Sequence, residues 1–191
     1  MPVTRLREFL GSHNVQYVVI SHSVAYPAQG IAALTHTSGK ELAKTVIVKL
    51  DGSLVMAVLP ASSQVDLSRL KIVAGATNAA IASEQDFREK FPDCQTGAMP
   101  PFGNLYDIPV FADESLTHDK EIAFNAGTHL ELIRMAWNDF QRLVKPQMAR
   151  FLGIPEAIIV LLERHTAAAC DSYKCTPFAA SCCLSSMGGT D

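Results

Sequence analysis

The 191-residue chain is 48% hydrophobic and 18% charged, which suits one domain with a buried core. Its formal net charge of −3 excludes the broad basic surface of a protein that coats nucleic acid, though not an enzyme that grips only the tip of one. No run of about 18 apolar residues marks a membrane span, and the first ten residues carry charges inside a helical pattern rather than a signal-peptide core, so a cytoplasmic protein is expected.

The first predicted helix runs from Thr4 to Ser12, with Leu6, Phe9 and Leu10 on one face and Gly11 and Asn14 ending it. Val15 to Ile20 reads as a strand and Ala28 to Thr35 as a helix. Lys44 to Leu50 alternates, with Val46 and Val48 opposite Thr45, Ile47 and Lys49; Asp51-Gly52 then predicts a hairpin whose return strand is Leu54 to Leu59. A helix is predicted over 66–74 with Asp66 as its cap, then a short strand over 79–82. Ser83 caps a further helix, with Asp86 at its third position, that stops before Pro92.

Beyond it lies a loop, Gly97-Ala-Met-Pro-Pro-Phe-Gly103, followed by predicted strands at 108–112, 121–125 and 130–135. Gly127-Thr128-His129 is a turn before the last of these. Trp137 to Val144 reads as a helix that Pro146 interrupts, with Met148 to Leu152 continuing it and a final helix over 154–164. Strands that come in hairpins rather than βαβ repeats predict an α+β fold with a mixed, mostly antiparallel, barrel-like sheet. One domain is expected over 1–165, with a weakly ordered tail over 166–191.

Candidate chemistry is sparse. Cys94 stands alone, and a free cysteine is most often a small buried hydrophobe. Cys170, Cys175, Cys182 and Cys183 crowd the end of the chain at spacings that match no zinc pattern, so neither a metal nor a cofactor is expected. No nucleophile elbow, His-Glu-x-x-His pair or phosphate loop occurs. Lys44 stands where a polar turn enters an apolar strand, a place from which an ammonium group can enter a cleft while its stem packs on the sheet. His129 and His22 sit at strand ends, where histidine can act as acid, base or hydrogen-bond donor. The Gly97–Gly103 loop combines proline stiffness with glycine freedom, and such a loop can hold amide N–H groups toward developing negative charge; alone, it is more often an ordinary turn.

Three motifs in this order, Leu-Ala-Lys-Thr-Val (42–46), Gly-Ala-Met-Pro-Pro-Phe-Gly (97–103) and Ile-Ala-Phe-Asn-Ala-Gly-Thr-His (122–129), carry a resemblance over about residues 1–150. The chain resembles the YbaK-like, prolyl-tRNA-synthetase-associated editing domains. That resemblance implies a trans-editing aminoacyl-tRNA deacylase, with alanine on proline tRNA as the first expected substrate and prolyl-tRNA synthetase as a partner. The other reading is a non-catalytic module of the same fold that binds tRNA or a protein; a membrane or DNA partner is not expected. By resemblance, Lys44 engages the terminal adenosine and its phosphate, Gly97 and Pro101 frame a loop whose amides face the ester, and His129 shapes the amino-acid pocket. His22, Tyr26, Met99, Pro100, Phe102, Gly127 and Thr128 are the expected substrate-binding residues, Met99 and Phe102 through packing more than chemistry, with Pro27, Ala28 and Gln29 beside Tyr26 over the pocket. In this family the substrate's own 2′-hydroxyl is thought to assist the attacking water, which accounts for the missing triad. The chain departs from the family pattern at Gly30, where an acidic residue is expected, and at Asp107, where glycine is expected.

Overall fold

A computed structural model describes residues 4–21 and 42–153. The described residues all belong to one unit, Met1–Gly153. The expected helices at 28–35 and 154–164, and the tail beyond 165, lie outside the described residues.

Helix α1 (Thr4–Ser12) forms where expected and buries Leu6 and Leu10, four residues apart on one face. Strand β1 (Tyr17–Ser21) follows. Strands β2 (Leu42–Leu50) and β3 (Ser53–Pro60) make the predicted hairpin, turning through Asp51 and Gly52 with φ of 48° and 86°. The Asp51 carboxylate accepts from the Thr77 and Asn78 amides and the Thr77 hydroxyl, so the turn is tied to the chain entering β4 (Ala79–Ile81). Asp66 caps α2 (Leu67–Ala74), accepting from the amides of Ser68 and Arg69. Ser83 and Asp86 form a capping box at α3 (Glu84–Phe87). The remaining elements are β5 (Val110–Asp113), β6 (Glu121–Asn125), β7 (Glu131–Ala136), α4 (Trp137–Val144) and β8 (Gln147–Ala149), with single 3-10 turns at Gly103–Leu105 and Glu114–His118.

The strands join in the order β1-β7-β6-β2-β3-β5-β8, with β4 paired to the far end of β2. Pairs β2–β6, β3–β5 and β5–β8 are parallel and the other four are antiparallel, so the fold is α+β on a mixed sheet. Both faces of the central hairpin are covered. Ala43, Ile47, Met56 and Val58 face a core containing Phe102, Phe124 and Phe140. Val48, Leu50, Val55, Ala57 and Leu59 face a second core under Leu70, Phe111 and Phe151. The alternation in β2 therefore divides two cores rather than core from water.

One expectation is corrected. Residues 148–152 do not continue a helix: Lys145 ends α4 in the left-handed region at φ 49°, and Gln147–Ala149 becomes a strand parallel to β5. Buried Asp113 fixes the next stretch by accepting from the Phe151 amide at 3.0 Å. That pairing partner lies over thirty residues away, beyond the reach of local periodicity.

Candidate active site

The Gly97 loop is anchored in the core at its Phe102–Gly103 end. Phe102 is fully buried and its ring meets those of Phe9, Phe124 and Phe140 at 6.1, 5.6 and 5.7 Å between centroids. Its amide donates to the Pro100 carbonyl at 2.8 Å, a tight turn centred on Pro101, whose fixed φ suits it. Phe102, one of the expected substrate-binding residues, anchors the loop. Pro100, Pro101 and Met99 are also buried, so the loop presents main chain more than side chains. Gly103 is obligatory: a Cβ there would stand 2.2 Å from the Ile108 carbonyl oxygen. That carbonyl belongs to the chain just past Asp107, which takes φ 54°, the backbone region that favours glycine and tolerates aspartate. The glycine that the resemblance led us to expect here would have a backbone reason, and aspartate is among the few residues able to take its place.

Gly97 has φ +83°. A Cβ on it would lie 3.5 Å from His129 Cε1, in ordinary contact, so the need for glycine is conformational rather than steric. Loop and turn are laced together. The Gly127 amide donates to the Ala98 carbonyl at 2.9 Å, and the Gln95 amide donates to the Gly127 carbonyl at 2.9 Å. The His129 amide donates to Gln95 Oε1 at 2.9 Å, and His129 Nε2 lies 2.9 Å from the Thr96 carbonyl oxygen. The Thr128 hydroxyl accepts from the Leu130 amide at 3.4 Å. Among the described residues, no acceptor meets the amides of Gly97 or Met99.

Lys44 reaches the same end of the sheet along β2. Its neighbour Ala43 pairs in parallel with Phe124, so Lys44 stands beside the end of β6, where the chain runs on into the Gly127–His129 turn. It is half-buried, opposite fully buried Leu59, and burial lowers its pKa from the ordinary 10.5. Among the described residues no carboxylate pairs with it, and no hydrogen bond joins it to the loop. A partly desolvated cation without a counter-ion is suited to an incoming anion such as phosphate. Lys49, by contrast, is committed to Asp86 at 2.5 Å. The structure brings Gly97, Gly127, Thr128 and His129 into one cluster with Lys44 on the adjoining strand; His22 and Tyr26, with residues 27–30, lie outside the described residues.

A family model for the aminoacyl-tRNA editing domain matches residues 22–143, more than half of the chain. The chain belongs to the aminoacyl-tRNA editing domain family. It is 29% identical over 152 residues to the Multifunctional Ser/Thr-tRNA deacylase ProXp-y of Escherichia coli K12, covering 77% of this chain and 90% of that protein. It is 26% identical over 86 residues to a proline–tRNA ligase of Bacillus mycoides, where the match spans 45% of this chain and 15% of the ligase. A solved structure described as a candidate trans-editing enzyme for prolyl-tRNA synthetase shares the fold, with a TM-score of 0.68 at 18% identity, covering 80% of this chain and 98% of that one.

One feature of this editing domain escapes the sequence. Gln95 holds the turn against the loop, yet an exposed glutamine two residues before a glycine carries no signal of that role. The Cys94 thiol, 3.6 Å from the Tyr106 hydroxyl, is pushed up in pKa by burial, which makes it a poor nucleophile. A cavity of about 810 Å³ bordered by Tyr17, Arg134 and Asp139 shares no residue with the three motifs.

Proposed function

We propose that the chain is a trans-editing aminoacyl-tRNA deacylase that hydrolyses the ester of mischarged tRNA bearing a small amino acid. The observations that carry this reading are a half-buried Lys44 that no carboxylate among the described residues neutralises, standing beside the end of β6, and a Gly97 loop hydrogen-bonded to the turn that follows β6. Lys44 binds a phosphate of the acceptor end and fixes the ester in register, an orientation effect. Water attacks the ester carbonyl carbon, and the Gly97 amide receives the oxyanion; one such donor is typically worth about 3–4 kcal/mol. The intermediate collapses with cleavage of the bond to the ribose oxygen. That oxygen leaves with the proton lost by the water, relayed through the neighbouring ribose hydroxyl. The products are the free amino acid and uncharged tRNA. An aminoacyl ester is already activated, so no protein nucleophile is needed.

Alanine on proline tRNA is the first substrate of this reading; serine and threonine stand next, because the E. coli relative is named for them. Side chains differing by one methylene are separated by only about 1–3 kcal/mol in such a pocket, so overlapping activities are expected. The similarity to proline–tRNA ligases supports prolyl-tRNA synthetase as the enzyme whose errors are cleared. Incubation of the protein with a panel of mischarged tRNAs tests the reading. Release of one or more small amino acids supports it. Binding without release of any amino acid would instead assign a non-catalytic tRNA-binding module.

A further inference from the structure

Taking the site as the deacylase centre proposed above, we propose that His129 acts as a fixed N–H donor rather than a base. With Gln95, it aims the amides of Gly97 and Met99 as a pair at the oxyanion. The argument begins at the 2.9 Å contact between His129 Nε2 and the Thr96 carbonyl. A carbonyl oxygen only accepts, so Nε2 carries the hydrogen, and it does so in both the neutral and the protonated ring.

The Thr96–Gly97 peptide is planar and trans, so a carbonyl turned to the imidazole sends the Gly97 N–H the opposite way. The same holds two residues on. The Ala98 carbonyl accepts from the Gly127 amide, so the Met99 N–H also points away from the turn. Two alternate carbonyls are thus tied to one turn, and the two N–H groups between and beyond them share the opposite side. Neither meets an acceptor among the described residues. Met99 is only 4% exposed, where an N–H without a partner is costly and therefore rare. A negatively charged oxygen is the ligand that two convergent amides suit.

Gln95 closes the arrangement. Its side-chain oxygen accepts from the His129 amide, its own amide donates to Gly127, and its carbonyl accepts from the Ala98 amide at 2.9 Å. All three bonds go to the loop or the turn and none to the core, so Gln95 sets the distance between them. His129 and Gln95 are positioning residues that act through the peptide planes they hold.

The test compares His129→Gln, which keeps an N–H donor near the place of Nε2 but has no titrating group, with His129→Ala, which keeps neither. His129→Ala is expected to lower kcat about 100-fold, the scale of losing one oriented donor, with KM changed less than about threefold. His129→Gln should stay within about fivefold of wild type and share its pH–rate profile from about pH 5.5 to 8, the range in which a histidine base would titrate. A glutamine variant as slow as the alanine variant would overturn the proposal. Gln95→Met should lower kcat about tenfold while KM and Tm hold, as expected for a misplaced donor pair; a change confined to Tm would mean that Gln95 is merely structural. Nitrogen-15 NMR of the imidazole tests the clamp without turnover: Nε2 is expected to be protonated at neutral pH, and finding it unprotonated sinks the proposal whatever the rates. If no form hydrolyses any mischarged tRNA, the deacylase reading fails, while the imidazole spectrum still decides the clamp.

Discussion

Gly97 and Gly103 bound one loop, yet alanine should act on them in opposite regimes. At Gly97 the new Cβ meets only His129 Cε1 at 3.5 Å and Nε2 at 3.8 Å, so space is available. The cost is that of holding an L-residue at φ +83°, about 1–2 kcal/mol. Lower entropy of the unfolded chain returns about 0.4–1 kcal/mol of this. The net loss is about 1 kcal/mol, or roughly 2–4 °C in Tm for a chain of this length. At Gly103 the Cβ would lie 2.2 Å from the Ile108 carbonyl oxygen and 2.6 Å from Val110 Cγ2. The Gly103 carbonyl accepts from the Tyr106 and Ile108 amides, so the backbone has little freedom to retreat. Such overpacking costs about 3 kcal/mol or more, and Tm should fall by at least about 6 °C. Thermal melts read the stability difference, and deacylation of mischarged tRNA reads the site. Gly97→Ala should lose at least about tenfold in kcat/KM despite its mild melt, because relieving the strain turns the amide proposed to receive the oxyanion. Equal melting losses for the two variants would refute the steric reasoning.

Other consequences follow from the charges and the thiol. Burial lowers the pKa of Lys44, so the unfolded chain binds its proton more tightly, and stability should rise with pH through the window just below 10.5. Lys44→Met should melt higher than wild type, lack that rise in a pH series of melts, and lose deacylation, a trade of stability for function. Asp86 is held down to about 2, first by Lys49 and then by Ser83. Its contribution is complete above the ordinary carboxylate value of 3.8 and is lost as pH falls toward 2. Asp86→Asn should therefore flatten the acid limb of stability in that interval, and superimposable limbs would contradict the role given to the pair. Cys94→Ser should retain full activity, and the native thiol should react slowly with alkylating reagents, because it is half-buried beside Tyr106 and its pKa is raised.

Local chemistry made much of the fold legible. Helix α1, strand β6 and helix α4 lie where their periodicity places them, and the Asp51-Gly52 turn, the Asp66 cap and the Ser83–Asp86 box are all formed. The failure at 147–149 is non-local: a short segment after a left-handed cap becomes a strand because β5 is free to pair with it. The motif residues Gly97, Gly127 and His129 were legible as a set and do meet. Phe102 is buried in the core, in keeping with a part in packing more than in chemistry. Gln95 was missed because its value lies in three hydrogen bonds across the loop rather than in its own chemistry.

The central claim is that Lys44 and the Gly97 loop together turn over an aminoacyl ester. Single-turnover hydrolysis of proline tRNA charged with alanine, serine or threonine, by wild type beside Lys44→Ala, measures this most directly. The account predicts release of a small amino acid by wild type and loss of that release in a variant that keeps its fold. Undiminished hydrolysis by Lys44→Ala, or none by wild type for any amino acid, would contradict it.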